Sequence, residues 1–233
     1  GVAGGAVIEV DGLDNSALSI AELSDGSLVA AGMSDPNGAW PFPLAVKLTA
    51  DGQQDIDFAG DGSLDESSLE GYFRQVLILP GDSLLLLGGQ LIGGDMHLRM
   101  ERASGTGSID AAYGAGGAAI VQPPTGNAYR PAGMARLSTG EVLVGGALDV
   151  GTAGANEFML CKLRDGGTLV TSIGDNGVVK STGAHLQAFD DFNWHFGTAM
   201  VVDASARSYL CDGTTLPGDD AIVTAFVALN VGI

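Results

Sequence analysis

The chain has 233 residues, of which 45% are hydrophobic and 16% charged, a balance that supports a sizeable core and excludes a disordered chain. Its 37 glycines disfavour long helices, because glycine weakens a helix by about 1 kcal/mol relative to alanine. The net charge of −18 repels phosphate, so we expect no nucleic-acid partner and no anionic membrane partner. The longest apolar run, residues 76–87, is shorter than the ~20 residues of a membrane-spanning helix, so we expect no membrane insertion.

The first 60 residues predict four short strands separated by Asp-Gly and Gly-Gly turns. Each strand is a run of four to six apolar or β-branched residues, which is the pattern of a strand bounded by hairpins. The predicted strands lie near Ala6–Val10, Leu18–Leu23, Leu28–Gly32 and Leu44–Leu48.

A turn followed by an apolar strand that ends in glycine recurs along the chain. The copies are residues 25–32, 81–88 and 139–145, with a degraded fourth copy at 206–212. We take the closing glycines as Gly32, Gly88 and Gly145, which are 56 and 57 residues apart. This spacing indicates a structural repeat of about 57 residues.

A second recurring signature places an aromatic or apolar residue just before a glycine cluster. Its anchors are Phe58, Tyr113 and Ile173, separated by 55 and 60 residues. The two signatures divide the chain into four units of one repeat domain, approximately residues 6–62, 63–117, 118–177 and 178–233. Four strands in each of four units predict an all-β fold, a four-bladed β-propeller of antiparallel strands.

The residues that carry these signatures resemble a known repeat. Leu-Val-Ala-Ala-Gly at 28–32 and Ala-Val-Lys-Leu-Thr-Ala-Asp-Gly at 45–52, followed by Phe58, are similar to the bacterial delta-60 repeat family. The resemblance implies a β-propeller-like domain of an exported protein and implies no catalytic residues; it fades after Gly183. With Gly1 rather than Met in first position, we expect a processed or excised chain, extracellular or in the cell envelope.

Ring closure is a separate expectation. The N-terminal strand, Ala6–Val10, could pair with a C-terminal strand at Ile222–Leu229 and remove an open sheet edge. The alternatives are an open stack or half of a larger ring, so a homo-oligomer remains possible.

Propellers bind ligands at the mouth of the central channel, where each innermost strand begins, and this placement is an analogy from the fold. Aligning the units puts an aromatic there in three of four, and the last loop adds carboxylates. We hypothesise a small-molecule site with aromatic stacking faces and polar anchors. The alternative is that the aromatics fill the channel or pack between blades. The candidate residues are Tyr72, Tyr129, Arg130, Asp190, Asp191, Trp194 and His195.

Catalytic and metal motifs are weak. His195 could act as a base oriented by Asp190 or Asp191, but the sequence has no nucleophile elbow and no His-x-x-x-His pair. Alternation over 95–102 places His97, Arg99 and Glu101 on one strand face, which we expect to be solvated. No cofactor is expected. Calcium is possible, although ordinary turns explain its candidates, which are Asp51, Asp55, Asp57, Asp61, Asp212, Asp219 and Asp220.

The cysteines leave two possibilities. Cys161 and Cys211 both lie in apolar runs, where a single disulfide and buried free thiols are equally compatible with the pattern.

These observations favour a non-catalytic binding or scaffold module of an exported bacterial protein that recognises a protein or glycan partner. One alternative is a hydrolase or lyase whose site surrounds Asp190–His195. Another is a structural subunit of an extracellular assembly, whose exposed strand edges pair with neighbours.

Overall fold

The computed structural model describes residue 10 and residues 12–35, 40–124, 127–149, 156–186, 199–202, 207–211, 213–215, 221–223 and 229–230. These residues form strands and one short 3-10 turn, Phe58–Gly60. The first eight strands are β1 Asp14–Glu22, β2 Leu28–Asp35, β3 Phe42–Leu48, β4 Ser63–Asp65, β5 Gly71–Ile78, β6 Leu84–Ile92, β7 Asp95–Ala103 and β8 Ala118–Val121. The others are β9 Ala128–Arg136, β10 Val142–Asp149, β11 Asn156–Leu163, β12 Val178–Leu186, β13 Ala199–Val202, β14 Arg207–Cys211, β15 Gly213–Thr215, β16 Ala221–Val223 and β17 Leu229–Asn230.

The strands form three four-stranded sheets in which neighbours in sequence are neighbours in space. Sheet 1 has the order β1-β2-β3-β4, sheet 2 the order β5-β6-β7-β8, and sheet 3 the order β9-β10-β11-β12. The fourth repeat contributes two smaller sheets to the described residues, β13-β14-β17 and β15-β16. The all-β prediction is therefore confirmed, and the described residues contain three complete four-stranded sheets where four were expected. The chain divides into two compact units, residues 1–120 and 121–233, and each is described by itself.

The fourth strand of each sheet follows the second sequence signature. Three equivalent glycines, Gly62, Gly117 and Gly177, adopt φ values of 97°, 104° and 94°. Each donates its backbone N–H to the carbonyl of the anchor four residues earlier, over 2.7, 3.0 and 2.9 Å. This tight turn reverses the direction of the chain, so that the fourth strand pairs with the third strand of the same sheet. Each sheet therefore takes its fourth strand from the start of the next predicted unit, so the sheets are out of phase with those units.

The glycines of the first signature lie where two backbones approach closely. Gly32, Gly88 and Gly146 each face a β-bulge in the first strand of their sheet. A Cβ on any of them would lie under 3.0 Å from a backbone carbonyl oxygen of that strand. The pairing register thus assigns the third closing position to Gly146, and the expected position, Gly145, is wrong by one residue.

Sheets 1 and 2 pack face to face through an apolar core. Leu84 and Leu86 of sheet 2 are fully buried in one cluster with Val29 and Ala31 of sheet 1. Burying a leucine side chain contributes about 1.5–3 kcal/mol, so the contact between the sheets stabilises the first unit. The Ala59 N–H in the anchor turn of sheet 1 also donates to the carbonyl of Thr106, in the turn after β7, over 2.8 Å, which adds a hydrogen bond between the sheets.

We expect Gly88→Ala to destabilise the protein by about 2–4 kcal/mol, because its Cβ would overlap the Tyr72 carbonyl and force the strands apart. Gly166→Ala is the matched control, since a Cβ there has open space around it. It should change the unfolding free energy by less than about 0.5 kcal/mol. Urea unfolding followed by fluorescence measures both, and equal effects would contradict the close-approach explanation.

Candidate functional site

Strand β7 carries a polar row on a buried face. His97, Arg99 and Glu101 share one face as the alternation predicts, because side chains on a strand alternate between its two faces. Glu101 lies opposite Leu86, a member of the core between sheets 1 and 2. His97 and Glu101 are consequently buried, and the expectation of a solvated face is wrong. The sequence pattern fixed which residues share a face but not that sheet 1 covers it.

Arg99 connects two carboxylates and an amide. Its Nε and Nη2 bind Glu101 Oε1, Nη2 lies 3.5 Å from Glu66 Oε2, and Nη1 donates to Gln90 Oε1 over 2.9 Å. The Glu101 side chain is 1% exposed, against 14% for Arg99 and 21% for Glu66. We call Glu66, Arg99 and Glu101 the triad. One guanidinium therefore forms ion pairs with two carboxylates at the contact between the sheets.

Burial dominates the electrostatics of the triad. Removal from water raises the pKa of Glu101 to about 7, and although Arg99 acts to lower this pKa, the nearby Glu66 raises it further. Glu101 Oε2 and His97 Nδ1 are both buried without a hydrogen-bond partner. Such groups are rare in folded proteins because each costs about 1–3 kcal/mol. The polar row therefore weakens the packing of the first two sheets.

The sister sheets show that the fold does not need this charge. Pairing with the second strand makes Leu44 and Met159 equivalent to Arg99, and it makes Val46 and Cys161 equivalent to Glu101. All four equivalents are buried. Two core positions that are apolar in sheets 1 and 3 are thus charged in sheet 2. Comparing the repeats in the register of their strands is the sequence signal that could have found the triad.

The connector between sheets 1 and 2, residues 66–70, is bonded to both. The backbone N–H of Glu66 donates to the Pro43 carbonyl of β3 over 3.0 Å. At its other end, the Leu91 N–H of β6 donates to the Glu70 carbonyl over 2.8 Å. The ion pair of Glu66 with Arg99 adds a side-chain link from this connector to β7.

Of the predicted ligand-binding residues, three are described. Tyr72 and Tyr129 are buried, and burial raises the pKa of Tyr129 to about 12, with smaller contributions from Cys161 and Asp175. Arg130 Nη2 donates to Asp149 Oδ2 over 3.0 Å. The other four, Asp190, Asp191, Trp194 and His195, lie outside the described residues.

The register changes which of these residues are equivalent. Tyr72 pairs with Gly89, and its counterpart in sheet 3 is Arg130, which pairs with Ala147. Tyr129 corresponds instead to Gly71 and lies on the opposite face of its strand from Arg130. The predicted alignment of Tyr72 with Tyr129 is therefore wrong by one residue, because sequence similarity alone did not reveal the bulges.

The described aspartates among the calcium candidates act in turns and ion pairs. The Thr49 hydroxyl donates to Asp51 Oδ1, Lys47 Nζ lies 3.1 Å from Asp55 Oδ2, and the Ser63 N–H donates to Asp61 Oδ1. In the part of the chain that the structure describes, no three metal-ligating side chains cluster. Asp212, Asp219 and Asp220 lie outside that part.

The thiol of Cys161 is free and buried, and burial raises its pKa to about 12. A thiol with that pKa is protonated and unreactive at neutral pH. The side chain of Cys211 lies outside what the structure describes.

Comparison with known proteins identifies the fold. No family model matches the chain, and no curated protein matches its sequence. The crystal structure of an endo-arabinase from Bacteroides thetaiotaomicron superposes with a TM-score of 0.52 at 11% identity. The match covers 91% of this chain and 75% of that one. The fold is β-propeller-like. No helix among the described residues is long and apolar enough to cross a membrane.

We expect Arg99→Met to destabilise the protein by about 3–5 kcal/mol, because it leaves the Glu101 carboxylate buried without its cation. Arg99→Met combined with Glu101→Val introduces the residue types found at the equivalent positions of sheets 3 and 1. The unfolding free energy of this double variant should be within about 1 kcal/mol of the wild-type value or higher. A double-mutant cycle from urea unfolding at pH 8 gives the coupling energy. Additive effects of the two substitutions would contradict the buried-pair assignment.

Proposed function

We propose that this chain is a non-catalytic glycan-binding module of an exported bacterial protein, located outside the cell or in its envelope. The observation that carries this proposal is the propeller-like fold, which 91% of the chain shares with an endo-arabinase, a glycan-active enzyme. Propellers present several loops around one axis, and concave sites of that kind suit sugar rings. The resemblance of the repeat to the delta-60 family supports the exported location.

The chemistry of the described residues supports binding over catalysis. Glu101 has the raised pKa expected of a general acid, but it is 1% exposed and faces sheet 1. Arg130 is held by Asp149, and Asp110 is held by Arg102 over 2.6 Å. Groups in such ion pairs are positioned to orient a ligand or to stabilise the fold rather than to transfer protons.

We further propose that the chain forms a closed ring of four blades. Support comes from the N-terminal segment, where Val10 is buried against Leu44 and Val46 of sheet 1. A ring closed by Ala6–Val10 and Ile222–Leu229 would bring the N-terminal segment to this face. Closure completes the last blade and covers an open sheet edge.

The proposed glycan site comprises Trp194 as the stacking face, with Asp190, Asp191 and His195 as polar anchors; Tyr72 and Tyr129 are buried and Arg130 is paired with Asp149, so these three are not part of the proposal. Stacking on an aromatic ring is the contact that a sugar face makes most readily, and aromatic contacts contribute about 0.5–1.5 kcal/mol beyond burial. Trp194 is therefore the residue whose loss should weaken binding most.

We expect the purified chain to bind a soluble polysaccharide, with arabinan as the first probe, in isothermal titration calorimetry. Trp194→Ala should weaken binding about tenfold, whereas Trp40→Ala, an exposed tryptophan in sheet 1's hairpin region, should leave it unchanged. If the chain binds neither arabinan nor any of a panel of other glycans, the proposal is contradicted. If the chain instead releases reducing ends from the polysaccharide, and His195→Ala abolishes this activity, the hydrolase alternative replaces the binding proposal.

Light scattering tests the proposed ring. A closed ring should be a monomer of about 23.5 kDa, unchanged by excess EDTA, because the last blade is then completed within one chain and not by a second copy. A dimer or larger assembly would contradict self-closure and support a structural subunit. Dissociation or unfolding in EDTA would make calcium part of the structure.

A further inference from the structure

We infer that the triad is a proton-sensitive latch, in which a proton on Glu101 keeps sheets 1 and 2 closed along β7 and the connector. The inference is independent of the glycan proposal, since it concerns the contact between the sheets and not a ligand. The latch consists of Glu66, Arg99 and Glu101.

Charge balance favours the protonated triad in the closed contact. Two carboxylates and one guanidinium carry a net charge of −1, and one added proton makes the triad neutral. The deeper carboxylate, Glu101, lies beside Leu86 in the apolar core, where an uncompensated charge is costly. The neutral triad therefore suits the closed contact, and the charged triad suits a contact that water can enter.

Arg99 lowers the pKa of Glu101, and the neighbouring charge of Glu66 raises it. On β7 the titratable neighbours are Arg99 and His97, and on the connector the neighbour is Glu66. Strand β6 contributes Gln90 and Leu86, which are uncharged, strand β5 carries Arg74, and the basic residue of sheet 1, Lys47, is paired with Asp55. Arg99 binds Glu101 Oε1, but Glu101 Oε2 has no hydrogen-bond partner, so a negative charge on this carboxylate is only partly compensated.

Glu66 links the triad to the connector between sheets 1 and 2. Glu66 is bonded through its backbone to Pro43 of sheet 1 and through its side chain to Arg99 of sheet 2. A change in the charge of the triad therefore acts on the one connector that joins the two sheets. Because the sister positions in sheet 3 are Met159 and Cys161, the same change cannot occur there.

The direction of the pH effect follows from linkage. The pKa of Glu101 is about 7 in the closed state and 4.5 where water reaches it. The closed state therefore binds the proton more tightly between these values, and closure weakens as the pH rises from about 4.5 through 7. At pH 8 the opening constant should exceed that at pH 5.5 by about tenfold or more.

Hydrogen exchange with mass spectrometry at pH 5.5 and 8.0, corrected for the intrinsic exchange rate, tests the latch. We expect amides of residues 66–73 and 97–103 to open about tenfold more at pH 8.0, while residues 156–163 of sheet 3 change by less than twofold. Glu101→Gln, which keeps the shape and cannot ionise, should abolish the difference. Equal opening at both pH values, or a uniform change over the whole chain, would overturn the inference.

Two control variants separate Glu101 from the other titratable groups. His97→Gln and Asp110→Asn, which removes an acid elsewhere in the same sheet, should both keep the pH dependence. Loss of the dependence in His97→Gln alone would assign the proton to His97 and overturn the latch. Should Glu101→Gln fail to fold, Glu101→Met replaces it, because this uncharged side chain of similar length cannot ionise. A pH dependence that persists in that variant would also overturn the inference.

Discussion

The close approach of two backbones at Gly32, Gly88 and Gly146 is the constraint on which the sheets depend. At each of these positions a carbonyl of the first strand occupies the space that a side chain would need, and a bulge follows in that strand. The bulge sets the register, and the register determines which side chains face the neighbouring sheet. The apolar core and the triad are both consequences of this single backbone arrangement.

The sequence predicts the strands well because their pattern is local. The expected strands near Leu18–Leu23, Leu28–Gly32 and Leu44–Leu48 coincide with β1, β2 and β3, and the anchor turns at Phe58, Tyr113 and Ile173 form as expected. Spacing between repeats, in contrast, does not determine which strand pairs with which. For this reason the sequence did not reveal at which residue each sheet ends. It also did not reveal that the third closing glycine is Gly146, or that Tyr72 corresponds to Arg130 and not to Tyr129.

The candidate site was harder to predict than the fold. Alternation correctly grouped His97, Arg99 and Glu101 on one face, but a charged strand face is solvated in most proteins, and nothing local indicates that another sheet covers it. The internal repeat supplies the missing information, since Val46 and Cys161 occupy the position of Glu101 in the other sheets. A polar residue where its equivalents are apolar indicates a specialised role in a repeat protein.

The order of strands within each sheet also determines how the chain folds. Each of the three four-stranded sheets joins strands that are consecutive in sequence, so most of their strand pairs close loops of only a few residues. Such local contacts form quickly, whereas docking one sheet on another must wait until both exist. A newly made chain can therefore complete each sheet in turn as it emerges, with the apolar faces of the earlier sheets exposed until the next one arrives.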